Sequence, residues 1–161
     1  MTATTSAAPA GFKVIAQNRK AHFDYHILEK IEAGVALHGP EVKSIRAGEV
    51  SLVESYAVVE NGQVILRDLH ISPYPCARIE VCDPVRPKIA LLHRREIKRL
   101  ADQIAQQGHT LIPLRLYLKN GLVKIELAIC AGKHAADKRE TLRRKTDERE
   151  TARAISDRTR R

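Results

Sequence analysis

The residues of this chain best suited to chemistry are cations, and they crowd toward one end. From Gly132 the sequence runs GKHAADKRETLRRKTDERETARAISDRTRR, and residues 133–161 hold 11 Lys and Arg against 6 Asp and Glu. That segment supplies +5 of the chain's +9. Its only large aliphatics are Leu142 and Ile155, too few to bury a face and offset the entropy of ordering. Cations at this density neutralise a polyanion, and for a basic protein the abundant one is nucleic acid. Lys145, Arg149 and Arg153 recur at i,i+4, so a helix formed on contact carries a basic stripe. From composition alone, a solvated charged appendage is the alternative. A second cluster, QNRKAHFDY, sets Asn18, Arg19, Lys20 and His22 beside Phe23 and Tyr25 just before the first expected strand.

Catalytic chemistry has no comparable signal. GxSxG, HExxH, GxxxxGK[ST] and GxGxxG are all absent. The histidines (22, 26, 38, 70, 93, 109 and 134) are scattered, and none shares a metal-ligand spacing with a cysteine. Cys76, Cys82 and Cys130 are an odd number without a CxxC pair, which fits a reducing cytosol rather than a disulfide framework. MTATTSAAPAGF lacks the basic start and apolar run of a secretion signal, and no apolar run spans a bilayer. The expectation is a cytoplasmic, non-enzymatic protein that needs no cofactor or metal.

The elements that must position the cations read as follows. YHILEKIEAGVAL is ambiguous between helix and strand, and Gly34 leans it toward a long bent strand. In HGPEVKSIRAGE, Pro40 opens and Gly48 closes a short helix with Val42 and Ile45 on one face. Asn61-Gly62 and Asn120-Gly121 each sit between β-prone runs, which predicts two hairpins with type I′ turns. In the second hairpin Leu114, Leu116 and Leu118 alternate with Arg115, Tyr117 and Lys119, giving one core face and one wet, partly basic face. Between the hairpins, ISPYPCARIEVCDPVRPK predicts a loop with at most a short edge strand. HRREIKRLADQIAQQG predicts an amphipathic helix with Ile97, Leu100, Ala101 and Ile104 inward and Gly108 at its end. The expected fold class is mainly β, a small antiparallel barrel with helices at its corners, and among such folds the OB type binds oligonucleotides. With 2 Phe, 4 Tyr and no Trp, recognition of a folded RNA by shape and phosphate fits better than stacking on unpaired bases.

These stretches also match a family. NRKAHFDY, LEKIEAGVALHGPEVKSIRAGEVSLVESYA, LHISPY, LLHRREI, HTLIPLRLYLKNGLVKIELAIC and GKHAADKRET closely resemble the SsrA-binding protein (small protein B, SmpB) family, from about Lys13 to the C-terminus. The resemblance implies an OB-like antiparallel β-barrel over 13–132 with two or three peripheral α-helices. It also implies a flexible start over 1–12 and a basic tail over 133–161, disordered when free and helical on the ribosome. It implies an RNA-binding adaptor of trans-translation that holds the tRNA-like domain of transfer-messenger RNA and stands in for the missing anticodon arm. The complex enters the A site of a stalled ribosome, the tail lies in the empty mRNA channel near the decoding centre, and peptide tagging and ribosome rescue follow. Alanyl-tRNA synthetase and elongation factor Tu are implied partners by way of the RNA; the protein is a monomer without membrane contact.

Carried over by position, Asn18, Glu32 and Leu91 stand where family members contact the RNA, joined by Arg19, Lys20, His22, Tyr25, Lys88 and Lys124 on that face or its rim. A carboxylate cannot pair with phosphate, so Glu32 is expected to accept from base or 2′-OH donors. Gly132 fits a hinge that releases the tail. Within the tail Lys133, His134, Asp137, Lys138, Arg139, Arg143, Arg144, Lys145, Arg149 and Arg153 are the implied ribosome-sensing residues, and Asp137-Lys138-Arg139 matches the family's signature. Ala136 stands where the family usually has an aromatic or His, with His134 as the substitute. Two rivals are a general single-strand-binding OB module, which needs more exposed aromatics, and a small hydrolase, which needs a cleft of perturbed acids and bases.

Overall fold

Alternation of apolar and polar residues sets most of this molecule into strands. A computed structural model describes residues 12–75, 83–133 and the single position 146. The strands are β1 (Phe12–Gln17), β2 (Tyr25–Val35), β3 (Val50–Ser51), β4 (Tyr56–Glu60), β5 (Gln63–Arg67), β6 (His70–Ile71), β7 (Lys88–Leu91), β8 (Thr110–Lys119) and β9 (Leu122–Gly132). Among the described residues up to Lys133, three helices interrupt them: α1 (Arg19–Asp24), α2 (Gly39–Ala47) and α3 (Arg94–Gln107).

Every pairing is antiparallel, and the pairings close on themselves. One edge of β8 pairs with β9 throughout; the other is shared by β1 and, at Leu111, by β4. From β4 the order runs through β5, β7, β2 and β9 back to β8, so six strands form a ring that β1 extends. Closure of this kind pairs strand edges that would otherwise invite another chain. The two-stranded β3–β6 sheet stands apart. The mainly-β expectation with peripheral helices is met.

Local chemistry explains the punctuation. Asn61 and Gly62 sit at φ 50° and 71°, and Asn120 and Gly121 at 52° and 78°, the paired left-handed angles of a type I′ turn. The His38 N–H donates to Glu41 Oε2 at 2.8 Å at the start of α2, and the His93 N–H donates to Glu96 Oε2 at 2.8 Å at the start of α3. Each fills one of the donors a helix start leaves open. Both helices end on a left-handed glycine, Gly48 and Gly108.

Inside the ring Leu66, Leu111, Leu116, Ile125, Leu127 and Ile129 pack with Ile45 of α2 and Leu100 of α3. Outside it lies a second, smaller cluster of Ala21, Ile112, Leu114, Ala128 and Cys130, flanked by Tyr25 and Ile27. This corrects the expected alternation. The β8–β9 register shifts between Pro113 and Arg115, so Leu114 leaves the face of Leu116 and joins the outer cluster. Ala128 of β9 is covered there as well. Burying a leucine like Leu114 contributes roughly 2 kcal/mol, enough to hold the short α1 against the sheet.

Other departures lie at the edges. The first strand is β1, not β2, and α1 occupies NRKAHFDY, where no helix was expected; of the expected flexible start, Phe12 belongs to β1 and the rest lies outside the described residues. Short β7 is an interior strand between β5 and β2. Residues 76–82 of the proline-rich stretch, and the tail from His134 apart from Thr146, also lie outside the described residues.

Candidate nucleic-acid interface

β2 connects two groups of expected RNA contacts. At its start stands α1, which Asn18 holds in place. Asn18 is 4% exposed; its side-chain oxygen accepts from the Ala21 N–H at 3.1 Å, and its Nδ2 donates to the Leu52 carbonyl at 3.1 Å. Each end of the amide holds a partner in the protein, so Asn18 positions α1. Ser55 Oγ donates to the same Leu52 carbonyl at 2.7 Å, fixing the turn beside α1. Lys20 reaches Glu54 at 3.1 Å, while Arg19 is exposed. The His22 pKa is lowered, first by desolvation and then by the Lys30 charge, which favours the neutral imidazole. Tyr25 packs on the outer cluster and pairs with Gly132.

Gly132 is therefore still part of the sheet. Just beyond it the Lys133 N–H donates to the Asp24 carbonyl at 3.1 Å, and Lys133 Nζ donates to the His22 carbonyl at 3.2 Å. Gly132, the expected hinge, is paired in β9, and Lys133 is clasped to the end of α1. The remaining expected tail residues, His134, Asp137, Lys138, Arg139, Arg143, Arg144, Lys145, Arg149 and Arg153, lie outside the described residues.

Seven residues along β2, about 23 Å at strand rise, lies the second group. Register places Leu91, Gly34, Lys124 and Tyr117 in one row across β7, β2, β9 and β8. Leu91 is 56% exposed, and among the described residues no carboxylate lies within ion-pair distance of Lys124. Glu32 sits beside the row with both oxygens occupied: the Tyr117 hydroxyl donates to Oε2 at 2.6 Å, and Lys119 Nζ donates to Oε1 at 3.1 Å and Oε2 at 3.0 Å. The Tyr117 bond first, and Lys119 next, hold the Glu32 carboxyl below its usual range. Burial and the bond to Glu32 push the Tyr117 pKa well up. Glu32 thus orients Tyr117 and Lys119, and an incoming donor must share its lone pairs with them. Farther along, Arg115 grips Glu126 Oε2 at 2.7 and 2.9 Å, and Lys30 lies 3.6 Å from Glu126 Oε1. Lys30, Arg115, Lys119 and Lys124 against Glu32 and Glu126 leave this outer face net positive.

Lys88 corrects another expectation. It is 0% exposed, so it offers no charge to RNA. Its Nζ donates to the carbonyls of Leu69 at 2.9 Å, Arg86 at 3.0 Å and Pro84 at 3.3 Å, and lies 4.0 Å from Glu41 Oε1. Arg86 Nε donates to the same Glu41 oxygen at 2.8 Å. Burial alone would raise the Glu41 pKa; Arg86, the His38 N–H and Lys88 outweigh it and lower the value. A buried ammonium persists when its donors are all used and a carboxylate is close. Lys88 fastens 83–87 and Leu69, just before β6, to the start of β7, the strand that carries Leu91.

The arrangement offers cations and a concave apolar surface, not a nucleophile beside a base. Burial pushes the Cys130 thiol up to about 11, so it stays protonated. Among the described residues no three His, Cys, Asp or Glu gather to hold a metal ion, and no helix is long and apolar enough to cross a membrane. Sequence reasoning missed Tyr117 and Lys119 as partners of Glu32. Their outward alternation in β8 was visible, but the crossing from β8 over β9 to β2 was not.

Comparison with known proteins agrees with this geometry. The family model described as SmpB protein matches residues 15–157. The SsrA-binding protein of Geobacillus kaustophilus (strain HTA426) is 51% identical over 146 residues, covering 91% of this chain and 94% of its own. That of Caldanaerobacter subterraneus subsp. tengcongensis is 54% identical over 138 residues, covering 86% and 87%. A solved chain described as "tmRNA-SmpB: a journey to the center of the bacterial ribosome" superposes with a TM-score of 0.64 at 43% identity, covering 80% of this chain and 94% of that one. On the matched motifs, the closed antiparallel ring and these likenesses, the chain belongs to the SmpB family of SsrA-binding proteins.

Proposed function

We propose that this chain binds the tRNA-like domain of transfer-messenger RNA and serves trans-translation as its protein adaptor. The observation that carries the reading is the 43% identity, across 80% of the chain, with a protein solved in the setting of tmRNA, SmpB and the ribosome. The net positive outer face of β2, β9 and β8 supports it, since phosphate contacts need cations that the fold does not itself neutralise. In this reading the body over 13–132 holds the RNA and occupies the space of an anticodon arm. The segment over 133–161 senses the empty mRNA channel, with Asp137, Lys138 and Arg139 near the decoding centre and His134 in the role of the missing aromatic. Alanyl-tRNA synthetase and elongation factor Tu act on the RNA rather than on this chain, which catalyses no step and works in the cytoplasm as a monomer.

The test is binding of the full chain to the tRNA-like domain with intact tRNA and an unstructured RNA as competitors. Binding that survives both supports the adaptor; equal affinity for all three RNAs leaves only a general basic module and overturns it.

A further inference from the structure

Helix α3 carries cations on both flanks, and only one flank is neutralised. Leu100 turns into the ring and packs with its core. Toward β2, Arg99 donates to Glu29. Toward β4, which lies half-way round the ring from β2, Arg94, Arg95 and Lys98 stand exposed, and among the described residues none of them makes an ion pair. Arg94 and Lys98 are one turn apart, so their charges stand in a row. The β4–β5 hairpin beside them does not offset that charge, because its one acid, Glu60, is held by Arg67 at 2.9 Å.

These cations stand against the local physics. Arg94 and Arg95 open α3, where the helix dipole already places positive charge. Glu96, the acid of that first turn, is turned to the His93 N–H at 2.8 Å. An incoming carboxylate would offset the repulsion.

Between this flank and Gly62, at the tip of the hairpin, lies a concavity of about 740 Å³, large enough to take several side chains. Its floor is aliphatic: Val59, Ile97 and Ala101, all half-buried. The three cations form its wall. Floor and wall together decide the occupant. An RNA duplex would meet the wall with phosphate and leave the floor uncovered, and among the described lining residues no aromatic offers a stacking face to a base. A helix with acids beside an apolar stripe covers both, through anchors at i, i+3, i+4 and i+7.

We propose that this groove docks an acidic amphipathic helix of a partner protein, its apolar side on Val59, Ile97 and Ala101 and its carboxylates on Arg94, Arg95 and Lys98. The surface is separate from the outer face of β2, β9 and β8, so the chain can hold RNA and this partner together.

The probe is a synthetic peptide of about four helical turns, with leucines at i, i+3, i+4 and i+7 and glutamates on the flank beside them. A scrambled peptide of the same composition is the control, and both are titrated against the full chain. The designed peptide binds about tenfold tighter than the scrambled one, a difference that removes the general attraction of a basic protein for acids. Replacing Arg94, Arg95 and Lys98 together by Ala abolishes the preference. Ala101→Gln, which fills the floor without changing charge, abolishes it too. Arg99→Ala, on the neutralised flank, leaves it within about twofold. Equal affinity of the unaltered chain for the two peptides overturns the proposal. So does a triple variant that keeps the preference, or one that keeps it while losing about tenfold in affinity for the tRNA-like domain or for ribosomes, which makes the flank a nucleic-acid surface instead.

Discussion

The two ends of β2 treat their polar groups differently. At the α1 end Asn18, Lys20 and Lys133 each hold a partner inside the protein: Leu52 and Ala21, Glu54, and the carbonyls of His22 and Asp24. At the Gly34 end Lys124 makes no ion pair or side-chain hydrogen bond among the described residues, and Leu91 lies open to water. Residues of the same type, named together from the same motifs, divide into those that build the surface and those left to meet a ligand. Lys88 is the extreme of the first kind. The lesson is physical: a cation serves RNA only in so far as the fold leaves its donors unfilled.

Four outcomes test that division. The largest is at Lys88. Lys88→Ala leaves three carbonyls and Glu41 without the ammonium, and about 3 kcal/mol of stability is lost in urea unfolding. The refolded fraction should keep the salt slope of RNA binding, and a reduced slope would return Lys88 to the RNA face. Next, Asn18→Ala removes the α1 cap and the tie to Leu52, costing about 2 kcal/mol. Asn18→Asp keeps the acceptor but not the donor and should fall between the two in the same unfolding assay.

Lys124→Ala comes third, weakening RNA binding about tenfold near physiological salt. Lys20→Ala, which breaks only an exposed pair, should change it less than about twofold. The smallest effect is a titration. Glu32 has a folded pKa below its ordinary 4.5, so its contribution is present above that value and fades as pH falls through the folded pKa. Tyr117→Phe should move the Glu32 carboxyl resonance back toward 4.5 in an NMR titration. No movement would mean that the Lys119 and Lys124 charges set the value.

Much of this frame was legible in local chemistry. Asn61-Gly62 and Asn120-Gly121 announced both hairpins, Pro40 and Gly48 bounded α2, and the spacing of Ile97, Leu100 and Ile104 marked α3, because each signal acts within a few residues. What stayed hidden depended on distant partners. α1 is six residues long and is tied through Asn18 to Leu52, 34 positions away; nothing in RKAHFD alone would nucleate a helix. The bulge at Leu114 needed the β9 register, and the burial of Lys88 needed carbonyls gathered from Leu69, Pro84 and Arg86. Of the residues expected to meet RNA, Leu91 lies open on the row and Lys124 is half-buried beside it, while Asn18 is buried at the α1 cap and Lys88 is fully buried.

The most direct measurement is the salt dependence of affinity for the tRNA-like domain in Lys124→Ala and Lys20→Ala, side by side with the unaltered chain. The account predicts that the slope of log affinity against log salt falls by about 1 for Lys124→Ala and stays unchanged for Lys20→Ala. A fall at Lys20 with none at Lys124 would contradict it and move the RNA to the α1 end of β2.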